Sequence, residues 1–459
     1  MRELRNLVLV YLGAWVFALC FVLIVALANG RSISRAWSLF LELIEQGDFQ
    51  IGLHFVFILL YLGFLIVRYF IRVYRKKGRR TLFKRLALRL ALPVALAMVL
   101  YRLVVYNNAH ERFEFEWDAS IENNSGKVTD HYAVDSLQRG MSVFGWGRDH
   151  TDQGIRMLRK DHVEWIAVIP FIYQKDQATK SIELPESEEW TRRDSLFIRT
   201  IDQLHASGFH VHLKPHLWTG SGWRSGLNPG NGSHWDAWFA SYREYMLRYA
   251  NMAEMTGTEL LCVGTELKTS IKKQPEAWQK LIAEIREIYS GKLTYAANWH
   301  DEYEHIDFWK ELDYIGIQAY FPLTKEKNPD LATIKKGWQR HIEAMETLYA
   351  TFQKPILFTE VGYKSEASAT IRPWEWGSFL SILTKKKSDR TQQLAYEAIF
   401  EEVWHRPWFA GLYIWQWDNR STALDAKKNL DFSPRFKPAE NTMTKWFAGP
   451  QRTTDHGPR

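Results

Sequence analysis

The sequence predicts an α/β chain in which a (β/α)8 barrel follows an N-terminal region of about three transmembrane helices. Three observations carry this expectation. Long uncharged apolar runs, with all of the excess positive charge beside them, lie in the first quarter of the 459 residues. Beyond them, short β-branched apolar runs alternate with amphipathic helical stretches. No glycine-rich phosphate loop follows any of those runs, which disfavours an open doubly wound sheet.

The charge balance excludes one function class at once. The formal net charge is +7, but residues 1–110 hold 15 Lys/Arg against 4 Asp/Glu, a balance of +11. The other 349 residues hold 44 against 48, a balance of −4. Basic residues confined to the flanks of apolar runs mark a membrane surface, not a nucleic-acid footprint. A hydrophobic fraction of 46% rules out disorder over most of the length. The two cysteines, Cys20 and Cys262, exclude a disulfide scaffold and a cysteine zinc site.

Taken in order, residues 7–28 are uncharged and long enough to cross a hydrocarbon core as a helix. Ala26 and Ala28 resemble a signal-peptidase site, yet the run exceeds a typical signal core, which favours an uncleaved anchor. The second segment is 51–72, with Arg68 and Arg72 snorkelling toward headgroups. The third, 86–106, carries Arg89, Pro93 and Arg102, and an interfacial helix is its alternative. Between the last two, Arg68, Arg72, Arg75, Lys76, Lys77, Arg79, Arg80, Lys84, Arg85 and Arg89 form a basic block without an acidic residue. Such a block stays cytoplasmic, and the loop 31–50, with two basic and three acidic residues, suits the opposite side. A spanning third segment then puts the rest of the chain outside the cytoplasm, anchored in the plasma or inner membrane with lipid as its partner.

Residues 107–139 read as a polar connector with a short strand at 113–117, residues 140–448 as the barrel and 449–459 as a polar tail. The strand candidates are 140–146, 163–170, 210–215, 259–264, 293–297, 314–319, 356–359 and 411–415. Helices are expected at 188–206, 235–255, 275–289, 332–351 and 390–405. Gly208, Gly257 and Gly291 suit left-handed residues after helix ends. In such a barrel the chemistry sits at the C-terminal ends of the strands. There the sequence places Lys214-Pro215-His216, Gly264-Thr265-Glu266, Asn298-Trp299-His300, Gln318-Ala319-Tyr320, Thr359-Glu360 and Trp415-Gln416-Trp417-Asp418.

Glu266 ends the fourth strand and Glu360 the seventh. Two carboxylates facing across a barrel mouth are what retaining glycoside hydrolysis needs: one donates and then accepts a proton, the other attacks the anomeric carbon. A single glutamate at a strand end is more often a salt-bridged rim residue. Trp415 and Trp417, two apart on one strand, share a face and offer a stacking floor for a sugar ring, with core packing as the alternative. Tyr320 can hydrogen-bond the nucleophile or serve as a structural hydroxyl. Lys214 and His216 share a face of an apolar strand and can bind sugar hydroxyls, as can Asn298 and His300 on the fifth loop, for which a rim role is the alternative. His210, His212 and His216 raise a zinc reading, but no third-ligand cluster accompanies them, so no metal and no cofactor is expected. The loop 218–235, rich in Gly, Ser and Trp, can wall an extended glycan cleft.

These segments resemble glycoside hydrolase family 113, within the clan of retaining (β/α)8 glycosidases. The matching stretches are Ala167-Val168-Ile169-Pro170, Leu213-Lys214-Pro215-His216, Val263-Gly264-Thr265-Glu266-Leu267 and Phe358-Thr359-Glu360-Val361-Gly362-Tyr363, in order over 140–418. The resemblance implies an endo-β-mannanase-like enzyme with Glu266 as acid/base and Glu360 as nucleophile, acting on a polysaccharide. One departure is visible: Thr265 stands where the clan commonly has Asn before the acid/base. Transglycosylation of an exported cell-surface polysaccharide and non-catalytic glycan binding are the competing readings.

Overall fold

The computed structural model describes residues 2–28, 32–44, 47–109, 115–144, 152–377, 381–419 and 422–449. The chain divides into two compact units, Met1–Leu103 and Val104–Arg459.

The first unit is helical: Arg2–Ala28, Ile33–Ile44 and Gly47–Leu86, the last continuing through a wider turn at Ala87–Ala91 into Leu92–Ala109. Two stretches, Arg5–Ala28 and Phe49–Ala109, are long and apolar enough to cross a membrane. The second of these has 61 residues and takes in both of the later apolar runs. It is not one straight rod. Gly78 leaves the helical region with φ 73° and ψ 175°. Arg85 and Arg89 then donate to the Tyr69 hydroxyl at 3.0 and 2.7 Å. Twenty residues of straight helix would span about 30 Å, so these contacts require the chain to turn back at Gly78. Arg75, Lys76, Lys77, Arg79 and Arg80 sit at that turn. The first helix packs on this run through Tyr11, whose ring lies 5.1 Å from Phe57.

The stretch 31–50, expected to be a loop, contains the helix Ile33–Ile44. Its charge content pointed to a side of the membrane, but its apolar residues recur every three or four positions, and Ala36 and Phe40 are buried. Residues 115–117 of the strand expected at 113–117 are irregular, and residues 113 and 114 lie outside the described residues.

Among the described residues the second unit contains ten strands: β1 Gln138–Phe144, β2 Trp165–Val168, β3 Phe171–Gln174, β4 His210–Leu213, β5 His216–Thr219, β6 Leu260–Thr265, β7 Lys292–Asn298, β8 Tyr314–Gln318, β9 Ile356–Val361 and β10 Phe409–Asp418. Eight close into a parallel barrel in the order β1-β10-β9-β8-β7-β6-β4-β2. All eight expected strands are present, shifted by a few residues, although Gly145 and Trp146 lie outside the described residues.

The remaining pair, β3 and β5, forms a separate parallel ribbon. It is the upward continuation of β2 and β4, interrupted where Pro170 and Pro215 remove ladder donors. Register carries across the break, since Lys214 N–H bonds Val168 O and His216 N–H bonds Pro170 O, both at 2.8 Å. Reading 163–170 and 210–215 as strands that stop at their prolines missed this extension.

Helices Ser187–Ala206, Gly232–Thr256, Pro275–Ile288, Leu331–Phe352 and Asp389–Glu402 fall at the expected places. Between β7 and β8 only the short turns Tyr303–His305 and Asp307–Glu311 intervene. Part of the high aromatic content fills the layer between helices and barrel. Trp238 stacks on Tyr242 at 4.8 Å, and Trp278 meets Tyr295 edge-on at 5.6 Å.

Gly208 and Gly257 are left-handed, with φ 89° and 67°, but Gly291 is not. At Gly291 the constraint is space, because a Cβ would lie 2.2 Å from the Tyr289 hydroxyl. At Gly257 a Cβ would meet nothing within 4 Å, so only backbone conformation is at stake. Gly257→Ala should therefore cost about 1 kcal/mol and Gly257→Asn less, because Asn tolerates the left-handed region. Thermal unfolding of the full chain checks the ranking; equal costs would contradict it.

Candidate active site

A cavity of about 1020 Å³ opens where the barrel strands end. Glu266 and Glu360 both line it, each nearly buried at 3% and 4% exposure. Their surroundings differ.

Glu360 lies within β9, one residue before its end. Its Oε1 accepts from Lys214 Nζ at 2.6 Å and Gln318 Nε2 at 3.2 Å, and its Oε2 accepts from the Tyr320 hydroxyl at 3.0 Å. Lys214 is fully buried and also donates to Thr359 O at 2.9 Å. His216 Nε2 comes within 3.4 Å of the same Oε1. Burial, then the nearby Lys214 and Arg224 charges, hold the His216 pKa well below the usual imidazole value, so this contact is not an ion pair. A cation and two neutral donors thus hold the Glu360 carboxyl group in place.

Glu266 follows β6 in the left-handed conformation, at φ 52°. For a non-glycine residue this costs about 1–3 kcal/mol and persists only where the surroundings impose it. Here Glu266 N–H donates to Ala296 O at 2.9 Å, Ser225 Oγ donates to Glu266 O at 2.9 Å, and Leu267 N–H donates to the Tyr295 hydroxyl at 2.6 Å. Tyr295 in turn donates to buried Glu302, which also accepts from Asn298 N–H at 2.8 Å. Burial pushes the Glu302 carboxyl up to about 8. Glu302 therefore steadies both Tyr295, which holds the chain just after Glu266, and Asn298. The Glu266 carboxylate accepts from Asn298 Nδ2 and from Arg224 Nη2, each at 2.7 Å. Burial raises its pKa, the Arg224 charge opposes this, and the Glu360 charge adds to the rise.

Aromatic side chains form the walls. On the β3–β5 ribbon, Phe171 pairs with His216 and Tyr173 with Trp218. These four line the cavity, while Ile172 and Leu217 on the opposite face are buried in the core. Trp299 stacks on Trp374 at 4.7 Å, and Trp376 meets Trp415 edge-on at 6.2 Å.

Of the residues expected at the site, Glu266, Glu360, His216, Asn298, His300, Tyr320 and Trp415 line the cavity. Lys214 lies behind Glu360, too deep to meet sugar hydroxyls. Trp417 corrects the shared-face argument: it is fully buried in the barrel core, its Nε1 donating to Asn419 Oδ1 at 3.0 Å. The reason is a register slip between β1 and β10, where Ser142 pairs with Trp415 but Val143 with Trp417. The extra residue, Gln416, breaks the period of two that would have put both indoles on one face. Among the described residues no group of three or more His, Cys, Asp or Glu is placed to hold a metal ion.

The family model for glycoside hydrolase family 113 matches residues 140–437. The chain belongs to glycoside hydrolase family 113. This family 113 chain is similar to a solved structure described as a complex of a GH113 β-1,4-mannanase. The two share 25% identity, with a TM-score of 0.59, covering 68% of this chain and 98% of that one. It is also similar to the GH113 β-mannanase AaManA from Alicyclobacillus acidocaldarius in complex with ManMIm, at 26% identity and a TM-score of 0.59. That match covers 68% of this chain and 97% of that one. A search of curated proteins returned no match. Closed barrel, cavity and family together make the molecule a glycoside hydrolase.

The sequence reading of this hydrolase missed Arg224, the ribbon aromatics Phe171 and Tyr173, and the Trp374–Trp376 wall. Arg224 lies inside the loop singled out for its tryptophans, but nothing in loop composition indicates which side chain turns inward. For the two tryptophans of β10 the structure separates two outcomes. Trp415→Ala should raise KM, because its buried indole also lines the cavity, whereas Trp417→Ala should leave KM near the parent value and cost about 3–5 kcal/mol of stability as a buried indole. Steady-state kinetics beside thermal melts would distinguish them; the reverse pattern would refute the assignment.

Proposed function

We propose that this chain is a membrane-anchored retaining glycoside hydrolase that cleaves a β-linked, mannan-like polysaccharide through a covalent glycosyl-enzyme intermediate. The observation that carries the reading is the unequal environment of two buried glutamates in one cavity. Glu360, held by Lys214, Gln318 and Tyr320, is the nucleophile. Glu266, with its pKa raised by burial and by Glu360, is the acid that protonates the leaving oxygen and the base that later activates water. The mannan-like substrate is supported by the similar β-1,4-mannanases. The aromatic walls also support it, since stacking suits a neutral sugar chain and needs no countercharge.

Incubating the purified full chain in detergent with a panel of neutral and uronic-acid polysaccharides tests both parts. Reducing ends should appear from mannan or glucomannan, and Glu360→Ala should lower the rate by at least about a thousandfold. The first-formed product should keep the β configuration by NMR. An inverted anomer would remove Glu360 as nucleophile, and activity on uronic polymers alone would overturn the substrate.

Membrane anchoring is supported by the two apolar stretches Arg5–Ala28 and Phe49–Ala109. The turn at Gly78 adds support, because it gathers the basic block at the tip of a helical hairpin. A cytoplasmic tip and three crossings put the barrel outside the cytoplasm. Protease added to intact cells, with any outer membrane permeabilised first, should digest the barrel. Protection until detergent is added would place it inside.

A further inference from the structure

Building on the proton-donor reading of Glu266, we infer that Arg224 is a positioning residue that clamps Glu266 in its ionised form and sets the upper pH limit of the reaction. The geometry is specific. Arg224 Nη2 donates to Glu266 Oε2 at 2.7 Å, with both side chains almost completely buried. Asn298 occupies the other oxygen. An arginine never gives up its proton here and an amide N–H2 does not either, so in the resting site both carboxylate oxygens accept from obligate donors. That arrangement suits a carboxylate. A protonated Glu266 must turn its own proton away from both partners, toward the cavity where a glycosidic oxygen would lie.

The clamp is built into the loop. Ser225, next to Arg224, donates to Glu266 O, and Ser225 O accepts from Thr269 Oγ1 at 2.6 Å. On the other side, Gln177 Nε2 donates to Trp223 O at 2.6 Å. Arg224 also lies over the Trp223 ring, 4.5 Å from its centre. Trp223 is 45% exposed and lines the cavity. A sugar stacking on Trp223 would therefore meet the same indole that supports the guanidinium, linking occupancy of that position to the proton on Glu266.

Other charges face Glu266 as well. Lys214 approaches from beyond β4 and favours ionisation; Glu360 from β9 opposes it. Glu302, in the β7–β8 connection, and Tyr320, after β8, interact with it but are held largely protonated by burial. His216 shares the cavity as a neutral ring. Among the described residues Arg224 is the cation in direct contact with Glu266.

Removing a contacting opposite charge shifts a carboxyl by about 1–3 pH units, and the shift here is upward. In R224M the alkaline limb of kcat/KM on a β-1,4-manno-oligosaccharide should therefore move up by at least about one unit. R224K, which keeps the charge, should return it most of the way. A readout independent of turnover is infrared titration of the full chain in detergent, using the protonated-carboxyl band that E266Q abolishes. Its midpoint should rise in R224M as the kinetic limb does. R224Q serves as a second uncharged variant should R224M fail to fold. An unmoved midpoint in the folded uncharged variants would overturn the inference. Full activity in E266Q would instead overturn the proton-donor reading and leave the infrared midpoint to judge the clamp.

Discussion

The architecture of the site depends on pairing a carboxylate with a lysine where both have almost no water. Glu360 is 4% exposed and Lys214, its partner at 2.6 Å, is fully buried. Removing two ions from water costs several kcal/mol each, and their attraction offsets this only with close geometry and further donors. The fold supplies those donors from separate strands. Lys214 follows β4, Gln318 ends β8, Tyr320 lies two residues beyond, and Glu360 itself is in β9. A closed parallel barrel brings the ends of non-adjacent strands such as β4 and β9 to one mouth. An open sheet would leave them on distant edges. The pair is thus weak evidence for stability and good evidence that the barrel is arranged around one charge. Lys214 has a second effect: with burial, its charge keeps His216 neutral, so among the described residues a single cation touches the Glu360 carboxylate.

What the sequence made legible follows from how local each signal was. Strand ends were readable because an apolar run stops where a polar residue begins, and Glu266 and Glu360 stand at such borders. The β3–β5 ribbon was not, because Pro170 and Pro215 look like strand terminators. Only the paired break in two neighbouring strands lets the ladder resume in register above them. Trp417 was misread because alternation holds only in an unbulged strand, and the slip at Gln416 depends on how β1 pairs with β10. Arg224 was out of reach for a different reason. Its inward direction is fixed by Gln177, Thr269 and Glu266, none of which is adjacent to it in sequence.

The aromatic surplus has two destinations with different physical roles. Trp238, Trp278, Trp309 and Trp338 are completely buried between helices and barrel, where each indole contributes area and edge-to-face contacts. Trp218, Trp223, Trp374 and Trp376 keep 39–55% exposure around the cavity. Large apolar rings left in water beside a buried charged site are costly unless a ligand covers them. Their spread over the ribbon, the loop after β5 and the segment after β9 fits a chain-like substrate longer than one ring.

The two glutamates are the same residue type at equivalent strand ends, yet their surroundings diverge because their backbones differ before their neighbours do. Glu360 is extended, within a strand, and its side chain follows the pleat into the barrel mouth above Lys214. Glu266 has left the strand in the left-handed conformation, so its carboxylate escapes the alternation and reaches Arg224 and Asn298. The conformational cost of about 1–3 kcal/mol is borne by the Tyr295–Glu302 brace and the Ser225 bond. In the mechanism we propose, separating their surroundings lets Glu360 act as nucleophile while Glu266 exchanges a proton. That separation begins with a single backbone torsion at the end of β6.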